Sequence, residues 1–167
     1  MNKNKADKIP VPNKIKKRVL SRIEECIQTF YDATGYSISV PDIYYNFGGL
    51  TGGYASRKGN YVQFNPELLL DNVEDFIHQL VGHEIAHRLC TEYYCNHLDL
   101  CSIHDRKVIH GKYWKETMNI LGLVPDRCHS YKAKESNVRR QKRYAYSCKC
   151  KGKIYELSTT KHNRMVK

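Results

Sequence analysis

The stretch "VGHEIAHRLC", residues 81–90, places His83 and His87 four positions apart, with Glu84 directly after the first histidine. On an α-helix each residue advances by about 100°, so positions i and i+4 stand one above the other and two imidazoles at that spacing converge on one point. Imidazole suits zinc, and a catalytic zinc site typically uses three protein ligands and leaves a fourth position for water. Glu84 stands beside that position, where a carboxylate can take a proton from the water as it attacks a carbonyl. This is the logic of an HExxH helix. Two histidines on an exposed helix would only be solvated, but here Phe76, Ile77, Leu80, Val81, Ile85 and Leu89 make the segment apolar on most sides. Three ionisable groups are costly to bury in such a helix without a partner, and a metal ion supplies one.

A third ligand is needed. The metzincin continuation requires glycine three residues and histidine six residues past His87, and Cys90 and Tyr93 occupy those places. Glu92, His97, His104, His110 and Glu116 remain as donors. His110 immediately precedes the last core helix, in a position that can turn back onto the histidine helix; we take it as the ligand, with His104 as its rival. Glu92 lies five residues past His87 and projects from a different face, and His78 reads as an ordinary polar residue.

Working outward, the elements are mixed. After Pro10 and Pro12, Ile15, Val19, Ile23, Ile27 and Phe30 fall at helical spacing that ends near Gly35. "YSISV", "DIYYNF" and "YVQFN" are rich in β-branched and aromatic residues; with "GGLTGG" and the turn-like "SRKGN" between them, they predict a small, mostly antiparallel sheet of three or four strands. Residues 65–94 then read as one long, largely buried helix opened by Asn-Pro, and 110–122 as an amphipathic helix stopped at Gly122 and Pro125. The order predicts an α+β fold. At 167 residues the chain has room for one main core and a small appendage, which we divide as 1–130 and a basic tail 131–167.

Charge is segregated along the chain. Residues 1–18 carry seven Lys/Arg against one Asp, 19–131 carry nine against fourteen acidic residues, and 132–167 carry twelve against two. Basic ends around an acidic middle suit phosphate neutralisation, and equally suit a pair of solvated tails. The expected nucleic-acid contact lies in the run Arg139, Arg140, Lys142 and Arg143. No apolar run approaches the roughly 18 residues of a membrane span, and no apolar signal segment follows the basic start, so the expected location is cytoplasmic. The seven cysteines, an odd number, then read as reduced thiols or metal ligands.

The pieces "VQFNPELL", "VGHEIAHRL", "HGKYWKETMNILG" and "YAYSCKCKGKIYELSTTKHNRMVK" together resemble the SprT-like zinc metallopeptidases. The resemblance implies a zincin-like core in which His83, His87 and His110 hold Zn2+ and Glu84 is the catalytic glutamate. It implies proteins attached to DNA as substrates, with DNA itself as a partner. It also implies a zinc-ribbon-like tail in which Cys148 and Cys150 form a first ligand pair for a second Zn2+. Two thiolates do not complete a tetrahedral site, so the ribbon is either truncated or completed by residues such as Cys128, His129 or His162. The competing reading is a non-catalytic zinc-containing DNA-binding or scaffold protein, which would have no use for a base between the two histidines.

Overall fold

The first helix, α1 (Asn13–Thr34), forms because Val19, Ile23, Cys26, Ile27 and Phe30 make one buried stripe. It stops at Gly35, whose backbone turns left-handed at φ 72° and returns its N–H to the Tyr31 carbonyl. These elements come from a computed structural model, which describes residues 9–127, 131, 142–147 and 154–166. Cys148, Cys150, Arg139, Arg140, Cys128 and His129 lie outside the described residues.

Three short strands follow: β1 (Asp42–Tyr44), β2 (Gly53–Ala55) and β3 (Tyr61–Phe64), in the order β1-β3-β2. β2 is antiparallel to β3, but β1 runs parallel to it, so this sheet is half parallel and not mostly antiparallel. The chain leaves β1 and crosses to the far side of β3, which sets β1 and β3 in the same direction. "YSISV", residues 36–40, forms no strand. Pro41 follows it and has no N–H to extend a ladder into β1, and the Asn60 amide instead donates to Ser39 Oγ and the Val40 carbonyl. Gly53, Ala55, Val62 and Phe64 face the core, while Tyr54 points outward.

The long helix expected over 65–94 is interrupted. Asn65 caps α2 (Pro66–Asp71) by accepting from the Glu67 and Leu68 amides, and Asn72 leaves helical geometry at φ −140°. The chain then resumes through α3 (Val73–Asp75), a π-helical segment (Phe76–Val81), α4 (Gly82–Cys90) and a second π-helical segment (Thr91–His97). π-Helical turns recur at functional sites. Here they flank a regular α-helical stretch, so the i, i+4 relation of His83 and His87 is preserved. Next comes α5 (Lys112–Ile120), which buries Trp114, Thr117 and Met118 against α1 and α4.

The chain divides into compact units at residues 1–133 and 134–167. In the second, β4 (Arg143–Ser147) pairs antiparallel with β5 (Ile154–Ser158), followed by α6 (Thr159–Met165). His162 stacks on Tyr144 with ring centroids 3.6 Å apart, and its Nδ1 lies 2.7 Å from the Tyr146 hydroxyl. Lys142 and Arg143 are exposed at the start of β4.

Asn65 links these elements most economically. It is 2% exposed, and its amide nitrogen donates to the Gly49 and Thr51 carbonyls while its oxygen caps α2. Loss of a cap costs about 1 kcal/mol and each orphaned buried polar group adds roughly 1–3 kcal/mol. Asn65→Ala is therefore expected to lower unfolding stability by at least about 2 kcal/mol in urea denaturation. A change below about 0.5 kcal/mol, as for an ordinary surface site, would show that this side chain does not hold the glycine-rich segment.

Candidate metal centre

His83 and His87 project from α4, and His110 comes from the loop just before α5. Their Nε2 atoms form a nearly equilateral triangle: 3.2 Å between His83 and His87, 3.1 Å between His83 and His110, and 3.1 Å between His87 and His110. For tetrahedral coordination with Zn–N near 2.0–2.1 Å, ligand nitrogens stand about 3.3–3.4 Å apart. The triangle has the right size. Among the described residues, these three histidines form the only group of three or more His, Cys, Asp or Glu with ligand atoms mutually within 4.8 Å.

Their protonation suits the task. Burial holds His87 well below the usual histidine range, helped by His83 and His110; burial and then Arg127 lower His110. Neutral imidazole is the form that binds metal. His87 also has a hydrogen bond to the Val108 backbone. A ring N–H donated there leaves Nε2 with its lone pair facing the cluster. Trp114 forms the floor, with ring centroids 4.9, 5.5 and 4.7 Å from His83, His87 and His110.

His110 reaches the cluster through an unusual backbone. Its φ is +57°, a left-handed conformation rare for a side-chain-bearing residue. Gly111 follows, and a Cβ there would lie 2.2 Å from the Arg106 carbonyl oxygen and 2.6 Å from Lys107 Cα. Only glycine lets the loop close this tightly.

Glu84 is 7% exposed and faces β2. It accepts a hydrogen bond from the Ala55 backbone, and burial pushes its carboxyl up to about 8 despite that bond. A Cβ on Gly53 would meet Glu84 Cγ at 2.9 Å, so β2 approaches the carboxylate as closely as backbone can. A cavity of about 760 Å³ opens over these groups, with Gly53, Ala55, Val124, Arg127 and Tyr131 in its walls.

Arg88, 4% exposed, locks this arrangement. It donates to the Ser56 carbonyl at 2.6 Å and pairs with Glu92 at 2.6 Å, tying α4 to the end of β2. Sequence reading overlooked Arg88 and Trp114 as parts of the site, whereas the glycines of "GGYAS", residues 52–56, were expected to mark a sheet edge that another backbone can approach. A basic residue one place after the second histidine of an otherwise apolar helix was the available signal for Arg88.

The rival donors lie elsewhere. Glu92 is engaged by Arg88 and Asn96, His97 packs on Tyr36 with centroids 4.6 Å apart, and His104 and Glu116 are exposed. His78 is exposed as well. The histidine helix, the sheet edge and the His110 loop thus define an α+β protein built round a three-imidazole centre able to hold a metal ion.

Comparison with known proteins agrees with that class. The model of the SprT-like family matches residues 23–137. Protein SprT of Pasteurella multocida (strain Pm70) is 32% identical over 155 residues, covering 90% of this chain and 83% of that protein. Protein SprT of Escherichia coli (strain K12 / DH10B) is 31% identical over 164 residues, covering 98% and 89%. No solved structure matches the chain. The chain belongs to the SprT-like family.

Disturbing the groups that hold a metal's ligands in place typically costs 10–100-fold in metal affinity. Gly111→Ala is expected to lower affinity for Zn2+ at least about tenfold in a chelator competition, because the new methyl must displace the backbone that presents His110. Unchanged affinity would mean that the loop closes by another route.

Proposed function

We propose that the chain is a zinc-dependent endopeptidase, and the observation that carries this reading is Glu84. It is a buried carboxylate next to His83, cradled by an edge strand, and a purely structural metal site has no need of one. A zinc ion bound by His83, His87 and His110 would supply Lewis-acid polarisation and lower the pKa of bound water toward about 7. Glu84 takes the proton from the attacking water and returns it to the leaving amine.

Strand β2 binds and orients the substrate. Among the described residues it pairs only with β3, through bonds that include Asn65 N–H to the Gly52 carbonyl and Ser56 N–H to the Tyr61 carbonyl. The alternation of an antiparallel ladder leaves Gly53 and Ala55 facing the free edge. Ala55 contacts Glu84 there, so the remaining groups of that edge meet an extended peptide beside the base. Main-chain recognition gives low side-chain selectivity.

DNA-associated proteins are the proposed substrates. What supports this is the family resemblance, the basic ends of the chain, and the exposed Lys142 and Arg143. Proton transfer by a positioned side chain contributes about 10²–10⁴-fold. Glu84→Gln should therefore retain bound zinc while cleavage of a DNA-binding protein, assayed with and without single-stranded DNA, falls by at least about 10². Equal activity in the two proteins, or none in either, would refute the peptidase reading.

A further inference from the structure

The second cluster of reactive side chains lies at the other end of the histidine helix. Cys95 sits in the π-helical segment Thr91–His97 and is 7% exposed; Cys101, partly exposed, opens the loop that ends at His110. Their sulfurs are 2.7 Å apart. A disulfide needs about 2.05 Å, so only a small approach separates the thiols from a bond. The backbone already holds the turn that brings them together. Leu98 and Leu100 donate to the Tyr93 and Tyr94 carbonyls at 2.9 and 2.8 Å, and Asp99 takes a left-handed φ of 51°.

We propose that Cys95 and Cys101 are a site of reversible oxidation, a dithiol–disulfide pair that clasps the start of the His110 loop to the end of the helix carrying His83 and His87. The oxidant is a peroxide. The Cys101 sulfur, the more accessible of the two, attacks one peroxide oxygen; the O–O bond breaks, the first water leaves and a sulfenic acid remains on Cys101. The Cys95 sulfur then attacks the Cys101 sulfur, and its proton departs with the displaced hydroxide as the second water. Two S–H bonds and one O–O bond are broken, and one S–S bond and two new O–H bonds in the released waters are formed. An external thiol reverses the reaction by exchange.

The order follows from the surroundings. Burial, together with Cys101, raises the Cys95 thiol to about 12, so the more exposed Cys101 is the thiol that meets peroxide first, and Cys95 resolves because its sulfur is held 2.7 Å away. Cys90 is the nearby competitor. It is fully buried, its thiol is also raised by burial, and Thr117 supplies it with a hydrogen bond. The consequence falls on the loop, which the native structure ties down at separated points: Arg57 donates to the Ile103 carbonyl at 3.1 Å, and Val108 is 2% exposed. A covalent link at Cys101 limits opening of the segment between these anchors. The inference holds whether or not the chain is a peptidase.

Peptide mapping and hydrogen exchange of the full-length chain test it. After stoichiometric hydrogen peroxide, denaturing alkylation and digestion, a peptide linking Cys95 to Cys101 is expected, lost on treatment with dithiothreitol and absent from Cys101→Ser. Amide exchange in residues 102–110 should slow several-fold in the oxidised wild type and stay unchanged by peroxide in Cys101→Ser. A Cys90–Cys95 link, or Cys101 driven to sulfinic acid beside an intact Cys95 thiol, overturns the pair. A Cys95–Cys101 link without slower exchange overturns the clasp.

Discussion

Three imidazole nitrogens within 3.1–3.2 Å of one another are the constraint around which this structure is arranged. Their lone pairs repel unless a cation sits among them, so the geometry must be enforced from outside. Two of the rings are fixed by the pitch of α4. The third depends on a left-handed His110 and on Gly111 pressed against the backbone of Arg106 and Lys107. Trp114 beneath all three fills the space that water would otherwise take, and lowers the local dielectric as it does so.

The same helix organises the other half of the cleft. Glu84 reaches toward β2, Gly53 yields the space for it, and Ala55 hydrogen-bonds it from the backbone. One turn further on, Arg88 fastens the helix to the carbonyl that ends the strand. The strand edge and the buried carboxylate are therefore coupled mechanically: a movement of the edge moves the carboxylate. Burying an arginine is costly unless its partners are supplied, and here Ser56 and Glu92 meet its two terminal nitrogens, leaving Nε without one.

Features that depend on local pattern were legible in the sequence. The stripe of α1 and its stop at Gly35, the start of α2 at Asn65-Pro66, and the convergence of His83 with His87 all follow from spacing along one segment. His110 was reachable because it stands at a loop-to-helix junction. What depends on distant pairing was hidden. The parallel β1–β3 register arises from a crossover, and no periodicity in "DIYYNF" reports direction. "YSISV" has strand-like composition, yet Pro41 and the Asn60 amide leave it outside the sheet. Trp114 looked like ordinary core because its apolar spacing is that of a buried helix face; its contact with three histidines exists only in three dimensions. The break at Asn72 was concealed by an unbroken apolar pattern on either side.

A crystal structure of zinc-loaded protein with anomalous scattering recorded across the zinc edge addresses the metal centre most directly. One strong peak is expected about 2.0–2.1 Å from the Nε2 atoms of His83, His87 and His110 together. A peak held by only two of these rings, with His110 turned aside, or no peak between them at all, would mean that the triangle serves some other purpose.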